Sequence, residues 1–422
     1  MSIIDLYDLF IHNPQITTDS RNCPKGSIFF ALKGDKFDGN QYAGKALASG
    51  CVYAVIDNPD YYIGERTILV DNVLKTLQQL AHHHRKVLGL PIIGITGTNG
   101  KTTTKELLAA VLSTKFNLLY TEGNFNNHIG VPLTLLRLTH DHEMGASHPG
   151  DIKELVDIVH PNYGIITNVG RAHLEGFGSF EGVIRTKGEL YDYIRRSKGK
   201  IFIKKENEYL QSIAKGIEQI TYGNGDDAFA SGQVVSCDPF LVFNWKQQGK
   251  LHTVETHIIG SYNLDNVLAA VAVGRFFKIP AERISRAIAA YEPTNNRSQF
   301  KKTDNNELII DAYNANPSSM KVALDNFITM PVQPKAIILG DMRELGPTSD
   351  ELHAEVVAQI KKGQFDKVFL CGEHFSKVGK EFSPFATTEA MVEELRKQPL
   401  KGYHILIKGS HSMGLEKLAD IL

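Results

Sequence analysis

Residues 94–104 read GITGTNGKTTT. A short apolar run, PIIGIT (91–96), enters this stretch, and TTKELLAAVLSTK leaves it with the spacing of an amphipathic helix. A strand, a glycine-rich loop and a helix in that order make an anion site, because backbone N–H groups and the helix N-terminus converge on one point. Gly97 and Gly100 permit the tight turn, Lys101 brings a positive charge, and Thr102 offers a hydroxyl to a magnesium ion. Thr98, Asn99 and Thr103 complete the loop. The common phosphate loop carries a further Gly six positions before its Lys. Here that position is Ile95, so this is a short version. Such a loop takes a nucleoside triphosphate, but it does not choose among kinase, motor, switch and ligase.

A second candidate cluster is His82-His83-His84. The three lie in VLKTLQQLAHHHRKVLGL (73–90), which has helical spacing, and neighbouring helical residues point in different directions. They cannot all face one ion, and the run reads as a solvated helix face. The four cysteines, Cys23, Cys51, Cys237 and Cys371, are scattered without a CxxC pair. That pattern disfavours disulfides and a cysteine zinc site, and favours a reducing cytosol.

The elements that must position the loop are those of an α/β protein. Apolar runs at 26–32, 53–57 and 67–70 read as buried strands, with a helix at 40–50 between them. After the phosphate loop, YGIITNVG (163–170), IFIK and the HIIG run (257–260) read as further buried strands, and YNLDNVLAAVAVGRFF (262–277) as a helix. This alternation implies a mostly parallel sheet covered by helices. YEPTNNRSQF (291–300) reads as a linker. Beyond it, ELIIDAYNANP, KAIILGDM, KVFLCG and YHILIKGS are short strands that each end in Gly, Asp or Asn, at the carboxyl ends where such sheets bind ligands. The expected organisation is three domains at about 1–86, 87–296 and 297–422.

The whole chain bounds the reading. Its 422 residues suit two to four domains at roughly 100–200 residues each. With 42% apolar and 22% charged residues and a formal net charge of -1, it is an ordinary globular composition with no broad basic surface for nucleic acid. No apolar run approaches the roughly 18 residues of a membrane span, and MSIIDLYDLF lacks the basic start of a secretory signal.

TGTNGKTTT resembles the ATP loop of the Mur ligases and their relative folylpolyglutamate synthetase, which share the short form. The stretches TDSR (18–21), IFFALKGDKFDG (28–39), GNFNNHIGVPLTLL (123–136), EMGASHPGDI (143–152), TNVGRAHLEGFGSFEG (167–182), TKGEL (186–190), DAYNANPSSM (311–320), LGDMRELG (339–346) and IKGSHSM (407–413) resemble the branch of the Mur ligases that adds D-alanyl-D-alanine. The resemblance spans nearly the whole chain. It implies a small α/β domain for a UDP-sugar, a central ATPase-like parallel sheet and a Rossmann-like third domain. It implies an ATP-dependent, ADP-forming amide ligase that joins D-alanyl-D-alanine to UDP-N-acetylmuramoyl-tripeptide through an acyl phosphate. Such an enzyme serves peptidoglycan precursor synthesis as a cytoplasmic monomer, with no nucleic-acid or membrane partner.

Residue by residue, the resemblance implies magnesium at Thr102, Glu143 and His173, with Lys187 carrying a carbamate that helps to hold a second ion. Lys101, Lys187, His173 and Arg297 take catalytic roles. Asn266 resembles the residue that reads the adenine edge, Arg297 the linker residue that reaches the phosphates, and Asp311 and Tyr313 further nucleotide contacts. Asn314, Asn316 and Arg343 fall near the dipeptide pocket, with Lys408, Ser410 and His411 close by. Ser20, Arg21 and Lys33 would meet uridine diphosphate, and Asn126 and Asn127 the same substrate.

The chain departs from the family pattern before Glu143. An apolar strand there delivers the Glu to the metal, whereas this chain has LTHDHE (138–143), about five residues short. Either the chain improvises a strand or the sheet lacks one; losing a central strand costs more than a domain's spare stability, so local rearrangement is expected. Ile310 stands where many members place a second Asp beside Asp311. Two other functions compete: a folylpolyglutamate-synthetase-like ligase, which TDSR and ALKGDKFDG disfavour, and a UDP-muramyl-peptide-binding protein with a decayed site.

Overall fold

The computed structural model describes the chain except residues 124, 143, 148–151, 171–178 and 295, and of 144–147 it describes the backbone alone. Three sheets carry the architecture, and each is built on a run of apolar residues flanked by turn-forming ones.

The first sheet contains β1 (Ile16–Thr17), β2 (Ile28–Phe30), β3 (Tyr53–Ile56) and β4 (Thr67–Leu69), in that order and all parallel. Helix α1 (Ile3–His12) starts at a capping box, in which the Ser2 hydroxyl accepts the Asp5 N–H and the Asp5 carboxylate accepts the Ser2 N–H. Helix α2 (Ala43–Ala48) covers the sheet, and α3 (Val73–Leu88) ends at Gly89 in the left-handed region. Leu6, Phe10, Leu77 and Leu80 join one core with Val131, Leu135 and Leu155 of the central domain. That shared core corrects the solvated reading of the histidine run. His84 is buried, its Nε2 lies 2.8 Å from the Leu138 carbonyl and its Nδ1 3.2 Å from the Tyr7 hydroxyl. His82 packs edge-on against His160, at 4.3 Å between ring centres. A helix wedged between two domains has more than one buried face, and the run spans them.

The central sheet, among the described residues, has nine strands. These are β5 (Ile92–Thr96), β6 (Leu118–Tyr120), β7 (Met144–Ser147), β8 (Tyr163–Ile166), β9 (Lys200–Lys204), β10 (Glu218–Gly223), β11 (Ala230–Cys237), β12 (Phe240–Gln247) and β13 (Lys250–Ile259). Their order is β13-β12-β11-β10-β9-β8-β5-β7-β6. The six strands from β10 to β6 are parallel, and β11 continues them. The sequence reading saw only the end of β13 and placed it among the buried strands; β11, β12 and β13 are instead an antiparallel meander. Leu241, Phe243 and Trp245 alternate inward from β12, and the indole N–H of Trp245 donates to Ser285 Oγ at 3.1 Å. Alternation by two suits a half-solvated sheet, which a search for continuous apolar runs misses.

The strand expected before Glu143 is present, but it is formed by the residues after it. Gly145 of β7 lies opposite Ile92 and Ser147 opposite Gly94, so Met144 enters at the edge of the sheet away from the phosphate loop. Rearrangement, not deletion, accommodates the short segment.

Helices α4 (Lys101–Leu112), α5 (Gly130–Leu135), α6 (Ile152–Val159), α7 (Phe180–Arg196), α8 (Leu264–Phe276) and α9 (Ala281–Ala289) surround this sheet. Helix α8 is apolar on every side and buries Val267 through Val273, as a helix enclosed in a core requires.

The third sheet has β14 (Gln299–Lys302), β15 (Glu307–Asp311), β16 (Lys335–Gly340), β17 (Lys367–Cys371) and β18 (His404–Lys408), in the order β14-β15-β18-β16-β17. Only the edge strand β14 is antiparallel. Helices α10 (Pro317–Thr329), α11 (Ser349–Lys362) and α12 (Glu373–Val378) flank it. The linker reading of 291–300 gives way to β14 at Gln299.

Candidate active site

The phosphate loop leaves β5 at Thr96. Gly97 and Gly100 take φ of +143° and +77°, which disfavour a side chain. Space forbids one as well: a Cβ on Gly97 would stand 2.0 Å from Thr167 Oγ1, and one on Gly100 2.6 Å from Asn266 Oδ1. Asn99 is held by its backbone, whose N–H donates to Asn168 Oδ1 at 2.9 Å and whose carbonyl accepts from Thr167 Oγ1 at 2.6 Å. The Thr98 hydroxyl accepts the Gly170 N–H at 2.9 Å. The loop is therefore stapled to the end of β8, the next strand in the sheet.

Lys101 Nζ donates to the carbonyls of Gly97 at 2.7 Å and Thr98 at 3.0 Å. Desolvation, then the charges of Lys187 and Arg297, push its ammonium down to about 7. Lys187 projects from α7 and is itself buried. Two lysines and an arginine that repel one another mark a place prepared for anions.

These residues line a cleft of about 520 Å³ between the central and third sheets. Thr98, Asn99, Gly100, Lys101, Thr102 and Thr103 form one wall, with Asn126 and Asn266. Arg297, Asp311, Tyr313, Asn314, Ser318 and Lys408 form the other. The Arg297 guanidinium lies 3.9 Å over the Tyr313 ring, and its Nε is buried with no hydrogen-bond partner among the described residues. An orphaned guanidinium N–H beside a phosphate loop suits a phosphate oxygen. Asp311, at the carboxyl end of β15, is paired with the buried Lys408 ammonium at the end of β18. A smaller cavity of about 200 Å³ adjoins it, lined by Tyr313, Asn314, Asn316, Arg343, Ser410 and His411. Tyr313 stacks on His411 at 5.6 Å, and the Arg343 N–H donates to Ser410 Oγ at 3.2 Å.

Several of the expected site residues also carry structural bonds. Asn266 lines the cleft, but its Oδ1 accepts from Thr104 Oγ1 at 3.0 Å and its Nδ2 donates to Asn263 Oδ1 at 2.7 Å. Its amide braces the loop beneath Gly100. Asn127 holds the turn that leads into α5, accepting the Gly130 N–H at 2.8 Å, while Asn126 faces the cleft. Asn316 caps α10 and also reaches the phosphate loop, donating through Nδ2 to Asn99 Oδ1 at 2.8 Å. Ser20, Arg21 and Lys33 belong to the first domain, where the sequence reading puts the UDP-sugar, and lie outside this cleft. Arg21 is forked onto Asp19 and Lys33 is paired with Asp57 at 2.8 Å. Glu143 and His173 lie outside the described residues.

Sequence reasoning missed Thr104, Thr167, Asn168, Ser318 and Lys105. Asn168 carried a usable signal, since it follows a buried parallel strand at its carboxyl end. Lys105 carried none; it is buried, and Nζ donates to the Thr121 carbonyl at 2.6 Å. Among the described residues, no three His, Cys, Asp or Glu side chains cluster as a metal site. Magnesium rarely needs such a cluster, because it keeps waters and phosphate oxygens and takes one or two protein oxygens. The buried Thr102 hydroxyl in the loop fits that demand.

Comparison with known proteins places this geometry. A model of the Mur ligase middle domain matches residues 95–274, one of the Mur ligase glutamate ligase domain 296–411, and one of the Mur ligase family catalytic domain 12–85. The UDP-N-acetylmuramoyl-tripeptide–D-alanyl-D-alanine ligase of Bacillus subtilis (strain 168) is 34% identical over 430 residues, covering 96% of this chain and 92% of the relative. Among solved structures, MurF from Acinetobacter baumannii superposes with a TM-score of 0.86 at 28% identity, over 96% of this chain and 93% of that one. MurF ligase from Thermotoga maritima in complex with ADP has a TM-score of 0.87 at 24% identity, over 98% and 97%, and shares the fold.

Proposed function

The chain belongs to the Mur ligase family, and on that premise we propose that it is the ATP-dependent ligase that adds D-alanyl-D-alanine to UDP-N-acetylmuramoyl-tripeptide. The observation that carries this reading is the pair of adjoining cavities. One has a phosphate loop and an arginine N–H that no described residue satisfies, and the smaller one opens beside it across Tyr313 and Asn314.

The chemistry asks the protein to make a carboxylate reactive. A carboxylate oxygen of the tripeptide attacks the γ-phosphorus, and the bond to the bridging oxygen breaks, releasing ADP. The dipeptide amine then attacks the acyl carbon, the C–O bond to phosphate breaks, and the amine proton is lost. Negative charges must meet in the first step, and Lys101, Arg297 and the N-terminus of α4 offset them. Magnesium, held at Thr102, would supply further charge neutralisation on the phosphates. Arg343 and Ser410 sit in the smaller cavity, where a dipeptide carboxylate needs a cation and a donor. Ser20, Arg21, Lys33 and Asn126 supply hydroxyl, cationic and amide contacts for the UDP-sugar. A carbamate on Lys187 would turn one of the mutually repelling cations into a metal-binding anion; density for a bare amine at Lys187 Nζ with metal bound would remove that role. On the same reading we infer that the enzyme acts in the cytoplasm as a monomer.

Incubation with ATP, magnesium, UDP-N-acetylmuramoyl-tripeptide and D-alanyl-D-alanine should release phosphate only when both substrates are present. Binding of the nucleotide sugar without turnover would favour a decayed site instead.

A further inference from the structure

Three asparagines form a continuous polar chain from the central sheet to the third. Asn168, just beyond β8, donates Nδ2 to the Asn99 carbonyl at 3.0 Å and accepts the Asn99 N–H at 2.9 Å. Asn99 Oδ1 accepts from Asn316 Nδ2 at 2.8 Å. Asn316 Oδ1 accepts the Ser319 N–H at 2.9 Å, and the Asn316 N–H donates to Ser319 Oγ at 3.1 Å. Asn316 is 4% exposed, and Asn99 and Asn168 are half-buried, so these bonds are only partly open to water.

One side chain therefore does two jobs. Its oxygen caps α10, and its amide nitrogen holds the crown of the phosphate loop. Among the described residues this is the one hydrogen bond between that loop and the third domain. The first turn of α10 also divides the two cavities: Ser318 and Ser319 line the larger, and Asn316 lines the smaller. A neutral amide suits the place, because a cation there would compete with Lys101 for phosphate and an anion would repel it.

We propose that Asn316 is a positioning residue, a latch that seats the third domain on the phosphate loop through Asn99 when the two domains close. It acts through Asn99 and α10, and makes no bond to the transferred phosphoryl group. The inference rests on the ligase reading only in requiring a nucleotide in the larger cavity.

Asn316→Ser separates the two jobs. Serine caps a helix as well as asparagine does, but its hydroxyl is too short to reach Asn99. Small-angle scattering of the full chain, with and without magnesium and a non-hydrolysable ATP analogue, reads closure directly. The wild type should compact. Asn316→Ser should keep its melting temperature and compact far less, with the closing equilibrium shifted about tenfold, the effect of one net hydrogen bond. Phosphate release should fall by a similar factor in kcat, with KM for the UDP-sugar unchanged. Asn316→Thr gives the same readout should the serine variant fold poorly. Compaction and turnover like the wild type's in the serine variant would overturn the latch, as would a wild type that does not compact. Absence of substrate-dependent phosphate release from the wild type would count against the ligase reading alone, since scattering needs only the nucleotide.

Discussion

Lys101 shows how a single charge is prepared. Its ammonium is held by two carbonyls of its own loop and lowered to about 7, with burial the largest cause. Phosphate oxygens restore a favourable charge, so nucleotide binding raises this pKa. Between pH 7 and 9 the free protein has lost the proton and the complex has regained it. Calorimetric titration with ADP at pH 8, in two buffers of different ionisation enthalpy, should therefore report proton uptake, and affinity should fall as pH rises through this range. Lys101→Met should abolish the uptake and weaken binding about tenfold to a hundredfold, as expected for one charge-assisted bond. Gly100 is constrained as tightly. Gly100→Ala combines a left-handed φ with a Cβ pressed on Asn266, and should cost about 1–3 kcal/mol in urea unfolding while impairing ADP binding. The loop residues were readable from GTNGKTT. The bonds that hold them, from Thr167 and Asn168, come from residues some seventy positions away, and no local pattern announces them.

At the scale of elements, α3 carries the clearest consequence. Burial lowers the pKa of His84, whose ring nitrogens face the Leu138 carbonyl and the Tyr7 hydroxyl; His82 and His160 shift the same way for the same chief cause. A histidine with a folded pKa below its unfolded value leaves stability undiminished above the unfolded pKa of about 6.5. Stability then falls as pH drops from there toward the folded value, because only the unfolded chain takes up the proton. Urea midpoints should thus decline between pH 7.5 and 5.5, and the decline should be shallower in His84→Gln. At pH 7.5, His84→Ala should lose about 1–3 kcal/mol by stranding the Leu138 carbonyl. The helix itself was plain in its spacing. Which of its faces would be buried was not, because that depends on α1, α5 and α6 docking around it.

The whole molecule places the cleft proposed for the nucleotide between two sheets. Ligand bound there stabilises both, by about 2.7 kcal/mol at a hundredfold excess over Kd. In differential scanning calorimetry, ADP should raise the transitions of the central and third domains together, and leave any separate transition of the first domain less affected. Arg297 stacks on Tyr313 in the wall facing the phosphate loop, and Arg297→Lys removes the planar stack while keeping the charge. That variant should narrow the ADP-induced shift and raise KM for ATP.

Sequence alone determined the fold class, the phosphate loop and the family, because these rest on local spacing and on motifs that survive as contiguous strings. It also located the anomaly before Glu143. Tertiary structure decided the rest: that Asn127 holds a turn and Asn316 caps a helix, that Asn266 braces the loop, that His84 is buried, and that β7 is built from Met144–Ser147. An asparagine offers the same donors and acceptor wherever it stands. What it binds depends on which distant backbone arrives beside it, and that is set only when the sheets and helices pack.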